Sequence, residues 1–119
     1  MDYDPNYPIY LQIMDKIKLS ILTGKLKQGE KMPSLQDMAL QMDVNPNTMY
    51  RVYTELESAG CIESQRGRGS FVSNDEHRVD KLRQEKIAEL AKNFITGLRN
   101  LEFSDKEIMD IISSKLKEY

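Results

Sequence analysis

Arg66-Gly67-Arg68-Gly69 is the densest chemistry in the chain, two guanidinium side chains interleaved with two residues that have no side chain. Gly67 and Gly69 allow a sharp turn and let the backbone approach a phosphate or a minor groove, while Arg66 and Arg68 bring charge to its tip. The same composition also makes an ordinary solvated turn. A second stretch, Asn45-Pro46-Asn47-Thr48-Met49-Tyr50-Arg51, reads as the opening of a helix. Asn45 is its N-cap, and Pro46 takes the first helical position, where a missing N–H costs nothing. Asn47, Thr48, Tyr50 and Arg51 then stand on the opening turn, off the face of Met49, Val52 and Leu56. Small polar groups at such a turn reach base edges or phosphates, and the N–H groups of a helix N-terminus favour anions. Asn47 and Thr48 also suit a plain helix start, and Tyr50 suits a ring half-buried against the core.

Other chemistries find little material. The single cysteine, Cys61, can form neither an internal disulfide nor a thiolate-based metal site, and the one histidine, His77, reads as a solvated first-turn residue. Carboxylates are scattered over helix surfaces without a paired, apolar setting, so no catalytic residue, metal or cofactor is expected and the chain reads as a non-enzyme. Met14, Met38, Met42 and Met49 read as core packing rather than as a ligand pocket, which leaves a small-molecule effector possible but unidentified. No apolar run nears the roughly 18 residues of a membrane span. The N-terminus, Met1-Asp2-Tyr3-Asp4-Pro5, lacks a secretory pattern, so a cytoplasmic protein is expected. Net charge is −2, with acidic residues narrowly in excess before and after Asn74. A nucleic-acid contact must therefore depend on where charges sit rather than on their total. Glu55, Glu57 and Glu63 are expected on faces turned away from it.

These groups need a scaffold. Ile9, Ile13, Ile17 and Ile21 recur every fourth residue and define an amphipathic helix over about 8–23, stopped at Gly24. A polar connection follows. Ser34, three residues before Asp37, has the spacing of a capping box and starts a short helix with Leu35, Met38, Ala39 and Met42 on its inner face. A tight turn at Asp43-Val44 leads to the Asn45-capped helix, closed by Ala59-Gly60, and the pair makes a helix-turn-helix. Residues 61–65 and 70–73 alternate weakly around the Arg-Gly turn and form a β-hairpin that must lean on the helices. A hairpin directly behind a helix-turn-helix is the wing of a winged helix. Beyond Asn74, two helices over about 75–99 and 105–118 form an αα-hairpin, the second started by the Ser104/Glu107 capping box. Mainly α with one small hairpin is the expected class: residues 1–74 a winged helix, 75–119 a helical tail. The tail's apolar stripes, on Leu82, Ile87, Leu90, Phe94, Ile108, Ile111 and Ile112, exceed what a lone hairpin can cover, so a homodimer is expected to form through them.

The run Pro8-Ile9-Tyr10-Leu11-Gln12-Ile13, then Gly24 through Ser34, Val44 through Arg51, Gly60-Cys61-Ile62-Glu63 and Arg66 through Val72 resembles the GntR family of bacterial transcription regulators. The short tail is similar to that of the YtrA-like branch, which dimerises through it. Pyridoxal-phosphate-binding relatives share the head, but nothing here holds that cofactor. The resemblance implies a homodimeric repressor that binds a palindromic double-stranded DNA operator, often of a transporter or stress operon. It implies DNA contacts from Ser34, Asn47, Thr48, Tyr50, Arg51 and the wing residues Arg66, Gly67, Arg68 and Gly69. The family pattern typically carries an arginine where Gln36 stands; glutamine keeps the ability to read adenine or touch phosphate and loses the charge. A winged-helix adaptor that grips a protein instead of DNA is the rival reading.

Overall fold

The computed structural model describes residues 2–119; Met1, where the expected winged-helix segment begins, lies outside the described residues. The elements in order are α1 (Ile9–Leu22), α2 (Leu35–Met42), α3 (Pro46–Ser58), β1 (Ile62–Gln65), β2 (Gly69–Val72), α4 (Glu76–Asn100) and α5 (Asp105–Leu116). The mainly helical class with one hairpin is what the periodicity predicts.

In α1 the four-residue repeat buries Ile13, Met14, Ile17 and Ile21, while Ile9, in the first turn, stays 44% exposed. These side chains meet Met49, Val52 and Leu56 of α3, Met38 and Ala39 of α2, and Ile62 and Val72 of the hairpin in one core. The helix ends follow local rules. α2 closes on Asp43 in the left-handed region (φ 55), with Val44 N donating to Ala39 O at 3.0 Å, so the chain reverses tightly into α3. At the end of α3 Gly60 takes φ +79, and Cys61 N donates to Leu56 O at 2.9 Å. A methyl at Gly60 would stand 2.7 Å from Arg78 Nη1, so this turn also makes room for the start of α4.

β1 and β2 pair antiparallel, Ile62 opposite Val72 and Gln65 opposite Gly69. The polar connection before α2 turns out to be part of this sheet. Lys31 bridges to Phe71, Met32 N donates to Ser70 O at 2.8 Å, and Val72 N donates to Glu30 O at 2.8 Å. The outer edge of β2 is thereby covered, which is what a two-stranded hairpin needs to hold its shape.

The chain divides into two compact units, the first ending at Arg83 and the second running Gln84–Tyr119. The sequence division at Asn74 falls earlier because the first turns of α4 belong to the head: Val79 is buried in its core and Leu82 packs against it. Leu82, expected in a dimer interface, is half-buried against the winged-helix core in the single chain. In the second unit, α4 runs through Gly97 to Asn100. Glu102 then takes a positive φ of 67, Phe103 N donates to Leu98 O at 3.2 Å, and Arg99 reaches Asp105 at 3.0 Å across the turn. Ser104 and Glu107 form both halves of the expected capping box, and these hydrogen bonds hold the Glu107 carboxyl below its ordinary range. Ile108 is already buried in the single chain, and Ile111 and Ile112 are half-buried, whereas Ile87, Leu90 and Phe94 remain 52%, 58% and 45% exposed.

Candidate nucleic-acid interface

Two caps set the opening turns of the helix pair. Ser34 Oγ accepts from Asp37 N at 3.1 Å, and Asn45 Oδ1 accepts from Asn47 N at 2.8 Å. The second bond comes with Pro46 at the first helical position, as the local pattern requires. Longer-range bonds then hold the two starts in place. The Tyr53 hydroxyl donates to Pro33 O at 2.7 Å, tying the core side of α3 to the entry of α2, and burial pushes that phenol up to about 12. Tyr3 donates to Met42 O at 2.5 Å, bracing the turn between α2 and α3, and its pKa is raised by burial and by nearby Asp43.

The exposed residues of α3 fall on two flanks. On the wing side, Tyr50, Thr54 and Glu57 face Ser34 and Asp37 of α2 across a groove of about 740 Å³, closed at its far side by Lys31, Ser64, Gly69 and Ser70. Tyr50 is 65% exposed, so its ring is not a core residue. Glu57 lines this groove, where its Oε2 accepts from the Ser64 hydroxyl at 3.1 Å. On the other side, Asn47, Thr48 and Arg51 share a recess of about 370 Å³ with Ile9 and Tyr10 of α1. The Arg51 guanidinium carbon lies 3.6 Å from the Tyr10 ring centroid, and Arg51 Nε donates to Glu55 Oε1 at 3.4 Å.

The wing carries its charge at an exposed tip. Gly67 and Gly69 have φ of 74 and 106, values that a side chain would strain, so both glycines are required by the turn. Arg68 Nη1 donates to Gln65 Oε1 at 3.0 Å and its guanidinium stands 5.4 Å from the Phe71 ring, which holds the charge over the hairpin. Arg66 is exposed and forms no ion pair with the described residues.

The family described as bacterial regulatory proteins, gntR family, matches residues 9–72, which span every element of the helix-turn-helix and wing. The chain belongs to this family. YhcF, an uncharacterized HTH-type transcriptional regulator of Bacillus subtilis (strain 168), is 35% identical over 112 residues, 94% of this chain and 93% of its own. The HTH-type transcriptional repressor YtrA of the same organism is 44% identical over 68 residues, 57% of this chain and 52% of its own. A GntR family transcriptional regulator from Listeria monocytogenes shares the fold with a TM-score of 0.89 at 32% identity, over 94% of this chain and 98% of that one. These relatives are regulators of transcription, not enzymes, and the gntR proteins are DNA-binding.

In this gntR chain the side chains singled out from the sequence do not form one cluster. Ser34, Tyr50 and Gly69 meet in the wing-side groove, Asn47, Thr48 and Arg51 gather on the α1 flank, and Arg66, Gly67 and Arg68 project at the tip. Gln36 is exposed on α2 and lines neither hollow. Two residues escaped the sequence reading. Lys31 brings a cation into the groove, its Cε 3.1 Å from where a Gly69 side chain would begin; it looked like one lysine of a polar connection because strand pairing is non-local. Tyr10 is half-buried against the core beside the α1 isoleucine stripe, and only the packing of α1 on α3 also places it beneath Arg51. Among the described residues no group of histidine, cysteine and carboxylates could hold a metal, and no helix is long and apolar enough to cross a membrane.

Proposed function

We propose that this protein is a homodimeric repressor that binds a palindromic operator, one winged-helix unit to each half-site. One observation carries the reading: α3 is flanked by two open hollows, one beside its opening turn and one along Tyr50–Glu57, whose polar and cationic residues come from the helices, the hairpin and the connection before α2, with an arginine-bearing wing beside them. That is the form a recognition helix needs to enter a major groove while the wing follows the backbone or minor groove. Ser34, Lys31, Asn47 and Thr48 supply hydrogen bonds and charge to the duplex, Tyr50 and Gln36 face base edges, and Arg66 and Arg68 meet phosphates. Glu57, inside the groove, favours a cytosine amino group over a phosphate, a direct source of discrimination. The helical unit joins two copies through Ile87, Leu90 and Phe94, apolar residues along one side of α4 that the single chain leaves exposed. Occupying the operator shuts out other proteins, which is repression by exclusion; the expected target is a transporter or stress operon, and the site of action the cytoplasm.

The test is selection of bound sequences from random duplexes, followed by titration of the wild type and Arg68→Ala. A palindrome should emerge. Arg68→Ala should weaken binding to every sequence and lower the salt slope by about one unit per lost phosphate contact. Absence of any enriched sequence, with no effect of Arg68→Ala, would favour the protein-adaptor reading.

A further inference from the structure

Arg51 is held in an unusual way for an exposed side chain on a helix. Its guanidinium carbon stands over the Tyr10 ring, 3.6 Å from the centroid, and its Nε engages Glu55. The two terminal nitrogens, Nη1 and Nη2, have no partner among the described residues. A long, flexible side chain normally pays entropy to engage a ligand, and here a ring beneath and a carboxylate behind have already removed much of that freedom. What remains open is the outer edge of the fork, two parallel donors in the geometry that suits two oxygens of one phosphate. The stack draws the side chain sideways toward α1, away from the ridge where Tyr50 stands, and Asn47 and Thr48 line the same recess. With α3 docked in a major groove as proposed above, this placement falls at the border of the groove, where the backbone runs, rather than on its floor.

We propose that Tyr10 is a positioning residue for DNA binding, holding Arg51 as a preformed phosphate clamp on the α1 flank of the recognition helix. The inference rests on the operator reading above and adds α1 to the elements that meet DNA. Tyr10 itself need touch no nucleotide. Its ring replaces the search that a free arginine would make, so its removal should act only through Arg51.

Equilibrium titrations of the full chain on a selected operator, at several salt concentrations, test this with five proteins: wild type, Tyr10→Phe, Tyr10→Leu, Arg51→Ala and the double variant Tyr10→Leu/Arg51→Ala. Tyr10→Phe keeps the ring and should bind as wild type. Tyr10→Leu should weaken binding roughly two- to fivefold, the range expected for an exposed cation–π contact. Arg51→Ala should weaken it at least as much, lower the salt slope by about one unit and leave base preferences unchanged. The double variant should equal Arg51→Ala alone. A further loss in the double variant, or wild-type affinity and slope for Tyr10→Leu, overturns the proposal. A shift in base preference for Arg51→Ala overturns the phosphate assignment. Arg51→Lys, which leaves α1 intact, guards against a folding defect in Tyr10→Leu: it keeps the charge without the planar stack and should lose a similar factor, and wild-type binding would contradict the clamp. Failure of the operator reading looks different, because the wild type itself would then bind no duplex.

Discussion

Gln36 stands where the resemblance to gntR regulators implies an arginine, and its side chain is exposed without a hydrogen bond to the described residues. Gln36→Arg should restore a cation next to the groove entrance. It should tighten binding to duplex DNA in general, with an added preference of about 1–3 kcal/mol where a guanine lies beneath it. Titrations on operators varied base by base measure both effects; equal affinities on every base and at every salt would mean that position 36 points away from DNA. Tyr53 is a different kind of residue, buried and structural, and its bond to Pro33 O fixes how α2 begins. Its phenol is raised from 10.0 to about 12, so the folded state favours the neutral form. The stabilisation is whole below pH 10 and is lost as pH climbs toward 12, because the unfolded chain ionises first. Tyr53→Phe should cost about 1 kcal/mol at neutral pH by orphaning that carbonyl. Denaturant melts should also show a shallower loss of stability between pH 10 and 12 than in the wild type, and parallel profiles would contradict the burial argument.

At the scale of elements, the readable features were those written in neighbouring residues. The caps at Ser34, Asn45 and Ser104 were legible because a cap needs only its own helix, and so were the Gly24 and Gly60 stops. The edge pairing of Gly29–Met32 with β2 was not, since nothing in Lys31 or Met32 announces a partner some forty residues away. The α1 flank of the interface stayed hidden for the same reason: Tyr10 and Arg51 meet only after α1 and α3 pack. Charge placement was half legible, with the wing arginines evident and the place of Glu57 in the groove hidden, because its helical position is neutral until the hairpin closes the groove beside it. The end of α3 offers a direct check on this local logic. Gly60→Ala forces a side chain into φ +79 and pushes against Arg78, so it should cost about 1–2 kcal/mol in thermal or chemical unfolding. Gly97→Ala, on an open face of α4, should instead stabilise by up to about 1 kcal/mol through helix propensity. Equal effects at the two glycines would undercut the account of the turn.

For the whole molecule, the proposal is two heads on one palindrome, and the affinity of such an arrangement depends on the link between them. Leu90 and Phe94 lie four residues apart on α4 and are exposed in the single chain. Replacing both with glutamate should give monomers at micromolar concentration in sedimentation velocity, where the wild type should sediment as a dimer. Operator affinity should fall by roughly 10²-fold or more, since the second head no longer binds as an intramolecular event. A wild-type protein that is monomeric at that concentration would remove the helical unit from this role. Beneath the dimer lies the reading of a DNA sequence by each winged helix. It is tested most directly by the binding isotherms of the full chain on its selected palindrome and on a scrambled duplex of the same length, at near-physiological salt. Binding to the palindrome should be at least about 10³-fold tighter, with both affinities falling as salt rises. Equal affinity for the two duplexes, or none for either, would contradict it.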